Sequence, residues 1–285
     1  MTQQGDKKVS EILKRQRTGI LLAAVLLVLW YIQGWPLRVG FVAMMVLAIG
    51  EMYAAFSARG AKPVRWVGLL FALLSMPAYL YYGVQALMPL TALCCMTGLC
   101  CIVLRGQVDF ESAMATLFPL IYPGMLISLI FPLQDLTPHL FATVALGMSF
   151  IIALANDLAA YEIGRRFGKT KLCPALSPKK TREGAIAGVI ASIVASMVVP
   201  IVACLITRSA FSTLPPLWHF AIVGLLGGFA APIGDLTASM VKRYCGIKDF
   251  GSIFPGHGGM LDRVDSVIFT GAVVYCYFAL VLKVL

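Results

Sequence analysis

The chain has 285 residues, of which 60% are hydrophobic and only 13% charged, and its mean hydropathy is +0.87. A composition this apolar excludes an ordinary soluble domain: the solvent of such a chain is mostly lipid, and the class is a polytopic membrane protein. The net charge of +10, from 23 Lys and Arg against 13 Asp and Glu, reports topology and anionic headgroups in such a protein before it reports nucleic acid; the sequence holds no nucleic-acid module.

In chain order, residues 1–17 are polar and basic (Lys7, Lys8, Lys14, Arg15, Arg17), and the first apolar run starts near Thr18. No small-residue cleavage site follows, so the run is expected to stay as a first helix. At about 20 residues per crossing, an all-α bundle of nine spans is expected at 18–33, 37–56, 64–83, 85–104, 112–132, 139–160, 184–206, 217–240 and 266–283. Residues 1–138 form an N-terminal membrane region of about five spans. Residues 139–285 form a C-terminal region of about four, with polar loops 161–183 and 241–265. Basic residues fill alternate loops: Arg59, Lys62 and Arg65; then Arg105; then seven Lys and Arg from Arg165 to Arg182; then Lys242, Arg243, Lys248 and Arg263. That side is expected to be cytoplasmic, with the N-terminus inside and the C-terminus outside. The eight cysteines lie mostly in apolar runs with no C-x-x-C and no paired His, as structural cysteines do.

Two polar stretches interrupt this pattern. The first, Asn156 to Gly188, places Asp157 and Tyr161 on one helix face at i, i+4 and sets Glu162 beside Arg165 or Arg166. It ends in SPKKTREG, with Ser177, Lys179, Lys180, Thr181 and Arg182 just before an apolar run. Lysines and a hydroxyl at a helix N-terminus suit a phosphate; an anchor on lipid headgroups is equally compatible. The second stretch, Gly234 to Asp265, carries Asp235, Asp249, Asp262 and Asp265 together with Lys242, Arg243, Lys248, His257 and Arg263. Asp235, Ser239 and Lys242 share a helix face at i, i+4 and i+7. After the break PGHGG, Asp262 and Asp265 stand at i and i+3 of the next apolar run. An acid at mid-membrane costs about 2.5–3.5 kcal/mol on insertion scales, so Asp157, Asp235, Asp262 and Asp265 need cations, water or one another. Oxygen donors without a His/Cys set favour a hard cation such as Mg²⁺; ion pairs with Lys242, Arg243 and Arg263 are the alternative. His257 suits either a turn or a substrate contact.

Ser239 to Asp265, S-M-V-K-R-Y-C-G-I-K-D-F-G-S-I-F-P-G-H-G-G-M-L-D-R-V-D, resembles the signature of the phosphatidate cytidylyltransferases, the CDP-diacylglycerol synthases. The resemblance extends to D-x-x-A-Y at Asp157–Tyr161, to S-P-K-K-T-x-E-G at Ser177–Gly184 and, more weakly, to G-W-P at Gly34–Pro36 and the acid Glu51. Leu158, Ala159, Ala238 and Phe250 depart from the family pattern. The resemblance implies transfer of CMP from CTP to phosphatidic acid, giving CDP-diacylglycerol and pyrophosphate. It further implies Mg²⁺, with room for a second cation, and an active site on the cytoplasmic face of the cell's inner (plasma) membrane. It makes Asp235 and Asp262 the first metal ligands, with Asp265 and Asp157 as further ligands or supports. Ser239, Lys242, Arg243 and Lys248, beside Asp249, would meet phosphates. Lys179, Lys180 and Thr181 would hold the triphosphate or pyrophosphate, with Tyr161 and His257 as further substrate contacts, and Arg263 would orient Asp262 or meet the lipid phosphate. There is no P-loop, and the D-G-x-x-A-R signature of CDP-alcohol phosphotransferases is missing. A secondary transporter would keep its acids near the midplane, whereas these crowd the helix ends. A CTP-dependent prenol kinase or an archaeal-type ether-lipid cytidylyltransferase would share the same metal and nucleotide logic. A homodimer through an apolar face is compatible with the chain's size.

Overall fold

The computed structural model describes residues 27–106, 108–254 and 258–284. Residues 27–32 are helical, and the rest of the first expected span lies outside the described residues. Helix α1 (Gly34–Arg59) ends where Gly60 turns to φ 113° and its N–H bonds to the carbonyls of Phe56 and Ser57, a conformation open to glycine without a Cβ penalty. Then come α2 (Arg65–Tyr82), α3 (Leu87–Val103) and α4 (Phe110–Pro119). Asp109 caps α4 by accepting the Ser112 N–H at 3.0 Å. The path of α4 continues through a wide turn, Leu120–Met125, a helical turn, Leu126–Ser128, and a tight one, Phe131–Asp135. The second half holds α5 (His139–Phe167), α6 (Arg182–Thr207), α7 (Leu217–Cys245) and α8 (Leu261–Tyr277), whose last turns run through Phe278–Leu282.

Seven of the described helices are long and apolar enough to cross a membrane. They coincide with seven of the nine expected spans. An eighth, α2, forms where 64–83 was expected, but Arg65, Pro77 and the tyrosines at its end keep it out of that group. Large apolar side chains such as Leu73, Leu93, Ile186, Val194, Leu205 and Phe229 stay exposed around the bundle, as they do when lipid takes the place of water outside. The protein is therefore a helical, multi-pass membrane protein.

The structure shortens the expected loops and adds one small feature to the helical fold. The helices reach into both loops: α5 runs on to Phe167, α7 to Cys245, and α8 starts at Leu261, so only 246–260 separates the last two helices. The segment before α6 is an antiparallel hairpin of β1 (Lys171–Cys173) and β2 (Ser177–Thr181), an addition to the all-α expectation. β-Branched Thr181 closes its second strand and caps α6, accepting the Gly184 N–H at 3.2 Å.

α5 is the most buried of the seven helices and packs on α6, α7 and α8. Buried Asn156 ties three of them together, its side-chain amide donating to Ser192 Oγ at 3.1 Å and to the Gly228 carbonyl at 2.9 Å. Thr270 Oγ1 on α8 donates to the Ser149 carbonyl on α5 at 2.6 Å. Small residues let the backbones approach: a Cβ on Gly224 or Gly228 of α7 would run into Ser196 or Ser192 of α6, the packing expected where lipid offers no hydrophobic drive between helices.

Candidate active site

The acids and lysines of the two polar stretches meet at one end of this four-helix unit. α7 carries Asp235, Ser239 and Lys242 on one face, as the 3.6-residue period requires, because the helix is unbroken to Cys245. α8 carries Asp262 in its first turn and Asp265 a turn later, buried. Gly234 allows the two to converge: a Cβ there would strike the Asp265 carbonyl and lie 3.0 Å from the Phe269 ring. Asp235, next in sequence, is thereby brought beside Asp265. Asp157 on α5 stands within electrostatic reach of Asp235, Asp265 and Lys180. It is exposed yet flanked by neighbouring helices, as a group on the wall of a crevice is.

Two ion pairs hold the centre. Lys180 of β2 pairs with Asp235, and Lys242 Nζ donates to Asp262 Oδ1 at 2.8 Å with both groups largely buried. The other oxygen, Asp262 Oδ2, accepts the backbone N–H groups of Phe250 at 2.8 Å and Gly259 at 3.0 Å. Asp262 therefore ties Phe250 and Gly259 to the start of α8, and Lys242 lies 5.5 Å from the Phe250 ring centroid. Asp265 Oδ1 accepts the Ser266 N–H at 2.7 Å. Among the described residues no three His, Cys, Asp or Glu side chains are placed to share one metal ion.

The remaining expected site residues fall into two groups. Lys179 sits on the opposite face of β2 from Lys180, because successive strand residues alternate, and it is exposed. Thr181 is buried and occupied in capping α6. Arg243, exposed, donates to the Leu176 carbonyl at 3.4 Å and so ties α7 to the hairpin. Lys248, Asp249 and Arg263 are exposed at the rim. Tyr161 is exposed with the Arg165 guanidinium 5.6 Å from its ring centroid, and Glu162 pairs with both Arg165 and Arg166. Ser239 is half-buried on the Asp235 face. His257 lies outside the described residues.

Glu51 belongs to the site more fully than its sequence context suggested. From the middle of α1 it reaches the start of α8, accepting the Met260 N–H at 2.8 Å and the Leu261 N–H at 2.9 Å. These are two of the donors that a helix N-terminus leaves unpaired, and the carboxylate also meets the positive end of the helix dipole. Gly251 and Gly259 pack so close to it that a Cβ on either would overlap its oxygens. A buried acid inside an apolar run was the signal for it. On the face of α7 turned away from Asp235, Ser239 and Lys242, an apolar groove of about 370 Å³ is lined by Phe56, Met114, Phe118, Met240 and Val241. At its edge Arg59 stacks on Tyr244, 4.0 Å from the ring centroid, and pairs with Glu111 at 3.3 Å.

Lysines and acids gathered at one end of a membrane helix bundle are a setting in which phosphate-bearing substrates can be held beside the lipid. A model of the cytidylyltransferase family matches residues 13–281. The chain is 31% identical to phosphatidate cytidylyltransferase 4, chloroplastic, of Arabidopsis thaliana, over 97% of this chain and 76% of that protein. It is also 31% identical to the phosphatidate cytidylyltransferase of Synechocystis sp., over 94% of this chain and 95% of that one. A Brucella suis phosphatidate cytidylyltransferase is 38% identical over 131 residues, 46% of this chain and 45% of its own. The chain belongs to the cytidylyltransferase family and is a CTP-using nucleotidyltransferase.

Proposed function

We propose that the acceptor is phosphatidic acid and that the product is CDP-diacylglycerol, made on the cytoplasmic side of the cell's inner membrane. The observation that carries this reading is the centre itself, in which Lys180 pairs with Asp235 and Lys242 with Asp262 at one end of a bundle whose outer face is apolar. A lipid whose headgroup is itself a phosphate suits that arrangement. The headgroup would meet the charges while the acyl chains stay in the bilayer against the helix flanks.

In the reaction an oxygen of the lipid phosphate attacks the α-phosphorus of CTP. One P–O bond forms, the bond from the α-phosphorus to the bridging oxygen breaks, and pyrophosphate leaves with the electron pair. The nucleophile is already an anion, so the barrier is chiefly the repulsion between two polyanions and their alignment. Lys180 and Lys242 supply fixed positive charge at the centre. Lys179, Arg243, Lys248 and Arg263 at the rim raise the local concentration of both substrates, and Ser239 offers a hydroxyl donor on the Asp235 face.

Mg²⁺ belongs to the same reading. It is commonly held by one or two carboxylates together with substrate phosphates and water, so no three-acid cage is required; Asp235 and Asp265, with Asp157 within electrostatic reach, are the oxygen donors that would hold it. When bound, the ion would neutralise charge on the phosphates. Asp262, with both oxygens engaged by protein donors, better suits support of the loop than a ligand role. Purified protein, given phosphatidic acid, Mg²⁺ and CTP labelled at the α-phosphate, is expected to carry label into the lipid phase, and Asp235→Asn to lower the rate at least tenfold. Transfer of γ-label alone would make it a lipid kinase.

The full topology belongs to the same reading: nine crossings, N-terminus inside, C-terminus outside. The alternation of basic loops supports it.

A further inference from the structure

Tyr122 is a buried tyrosine whose hydroxyl has no hydrogen-bond partner among the described residues. A buried hydroxyl left unpaired costs about 1–3 kcal/mol, and phenylalanine would fill the same space without that cost. The position of the hydroxyl is set by covalent and packing constraints. Pro123 disfavours helical dihedrals for the residue before it, and Tyr122 stands at φ −123°, ψ 113°, a break in the wide turn that follows α4. The ring is then held edge-on between Phe118 and Phe269, each with its centroid 5.8 Å away. Phe269 lies one turn beyond Asp265 on α8, and a Cβ on Gly234 would touch both. The hydroxyl therefore stands within electrostatic reach of Asp235, Asp262 and Asp265, brought there from the opposite half of the chain.

Resting on the reading of the site as a phosphatidate cytidylyltransferase, we infer that Tyr122 is a substrate contact whose hydroxyl donates a hydrogen bond to a phosphoryl oxygen bound at the acidic centre. The two lysines at the centre are each held by a carboxylate. Tyr122 is a neutral donor, preset by its aromatic clamp and committed to no protein acceptor among the described residues. A phosphate oxygen satisfies it, and it adds no negative charge where acids already crowd. The phosphoryl group comes from the lipid headgroup or from the nucleotide.

Tyr122→Phe tests this, since it removes one oxygen and leaves the clamp. The expected result is a fall in kcat/KM of at least tenfold for label transfer with a melting temperature unchanged or higher. A structural role predicts the reverse, a lower melting temperature. Separate KM values for CTP and for phosphatidic acid, and the thermal stabilisation given by each alone, identify which phosphate is touched: the one whose binding the variant weakens. Wild-type kcat/KM in the variant, or a loss of activity that follows a loss of melting temperature, overturns the assignment. If the wild type itself moves no label to phosphatidic acid, the acceptor reading fails. The loss of CTP-induced stabilisation in Tyr122→Phe still decides whether Tyr122 touches the nucleotide.

Discussion

Asp262 and Asp235 are acids of the same polar stretch with different work. Asp262 accepts from Lys242 and two backbone amides, so Asp262→Ala leaves a largely buried lysine unpaired and the 246–260 segment unheld. Removing one partner of a buried pair costs about 3–5 kcal/mol. Chemical denaturation should show a loss of that size, together with near-complete loss of transfer. Asp235 and Lys180 are both about a quarter exposed, at 29% and 26%, a setting in which a pair contributes about 1 kcal/mol or less. Asp235→Asn should therefore cut CMP transfer at least tenfold while stability barely moves. Equal effects of the two substitutions on stability would contradict this division.

The elements meet through a few close approaches, and each can be tested by one atom or one charge. Gly234→Ala places a methyl against the Asp265 carbonyl, pushing α7 from α8, and should lower transfer at least tenfold. Gly50→Ala on α1 meets nothing within 4 Å and should leave activity intact, helix propensity even favouring Ala by about 0.5–1 kcal/mol. Glu51 joins α1 to the start of α8. Glu51→Gln turns one acceptor into a donor facing a backbone N–H, which should cost about 1–3 kcal/mol in denaturation and reduce transfer in parallel. The cap of α4 carries a pH signature. The hydroxyl and backbone N–H of Ser112 hold the half-buried Asp109 carboxyl below its usual range. Its contribution is complete above the ordinary aspartate value near about 3.9 and disappears as pH falls through the lowered one. Asp109→Asn should thus change stability at neutral pH and converge with the wild type in strong acid.

For the whole molecule, the membrane class, the order of the long helices and the family were legible in the sequence. Apolar runs of about 20 residues have few other fates, and the spacing from Ser239 to Asp265 is long enough to be specific. Less legible were the ends of those helices. Polar residues after an apolar run read as loop, yet α5 and α7 continue well past it, because their last turns pack against the hairpin and Phe250, where lipid hydropathy no longer decides. The division at residue 138 also hid that both halves build one site. Metal dependence is a property of the complete site: chelation with EDTA should abolish transfer and Mg²⁺ restore it, without the protein unfolding.

By itself the sequence determined the solvent, the helices and the inventory of acids, lysines and hydroxyls, since these follow from composition and local periodicity. Which of them work together was decided only in the tertiary structure. Lys180 rather than Lys179 faces Asp235 because strand residues alternate and the hairpin packs on α5 and α6 beside α7. Thr181 serves a cap. Glu51 and Tyr122, 214 and 143 positions before Asp265 by their numbers, reach the acidic centre because glycines at 234, 251 and 259 let backbones close around it. Contacts across such separations depend on how helices cross, and no local pattern encodes a crossing.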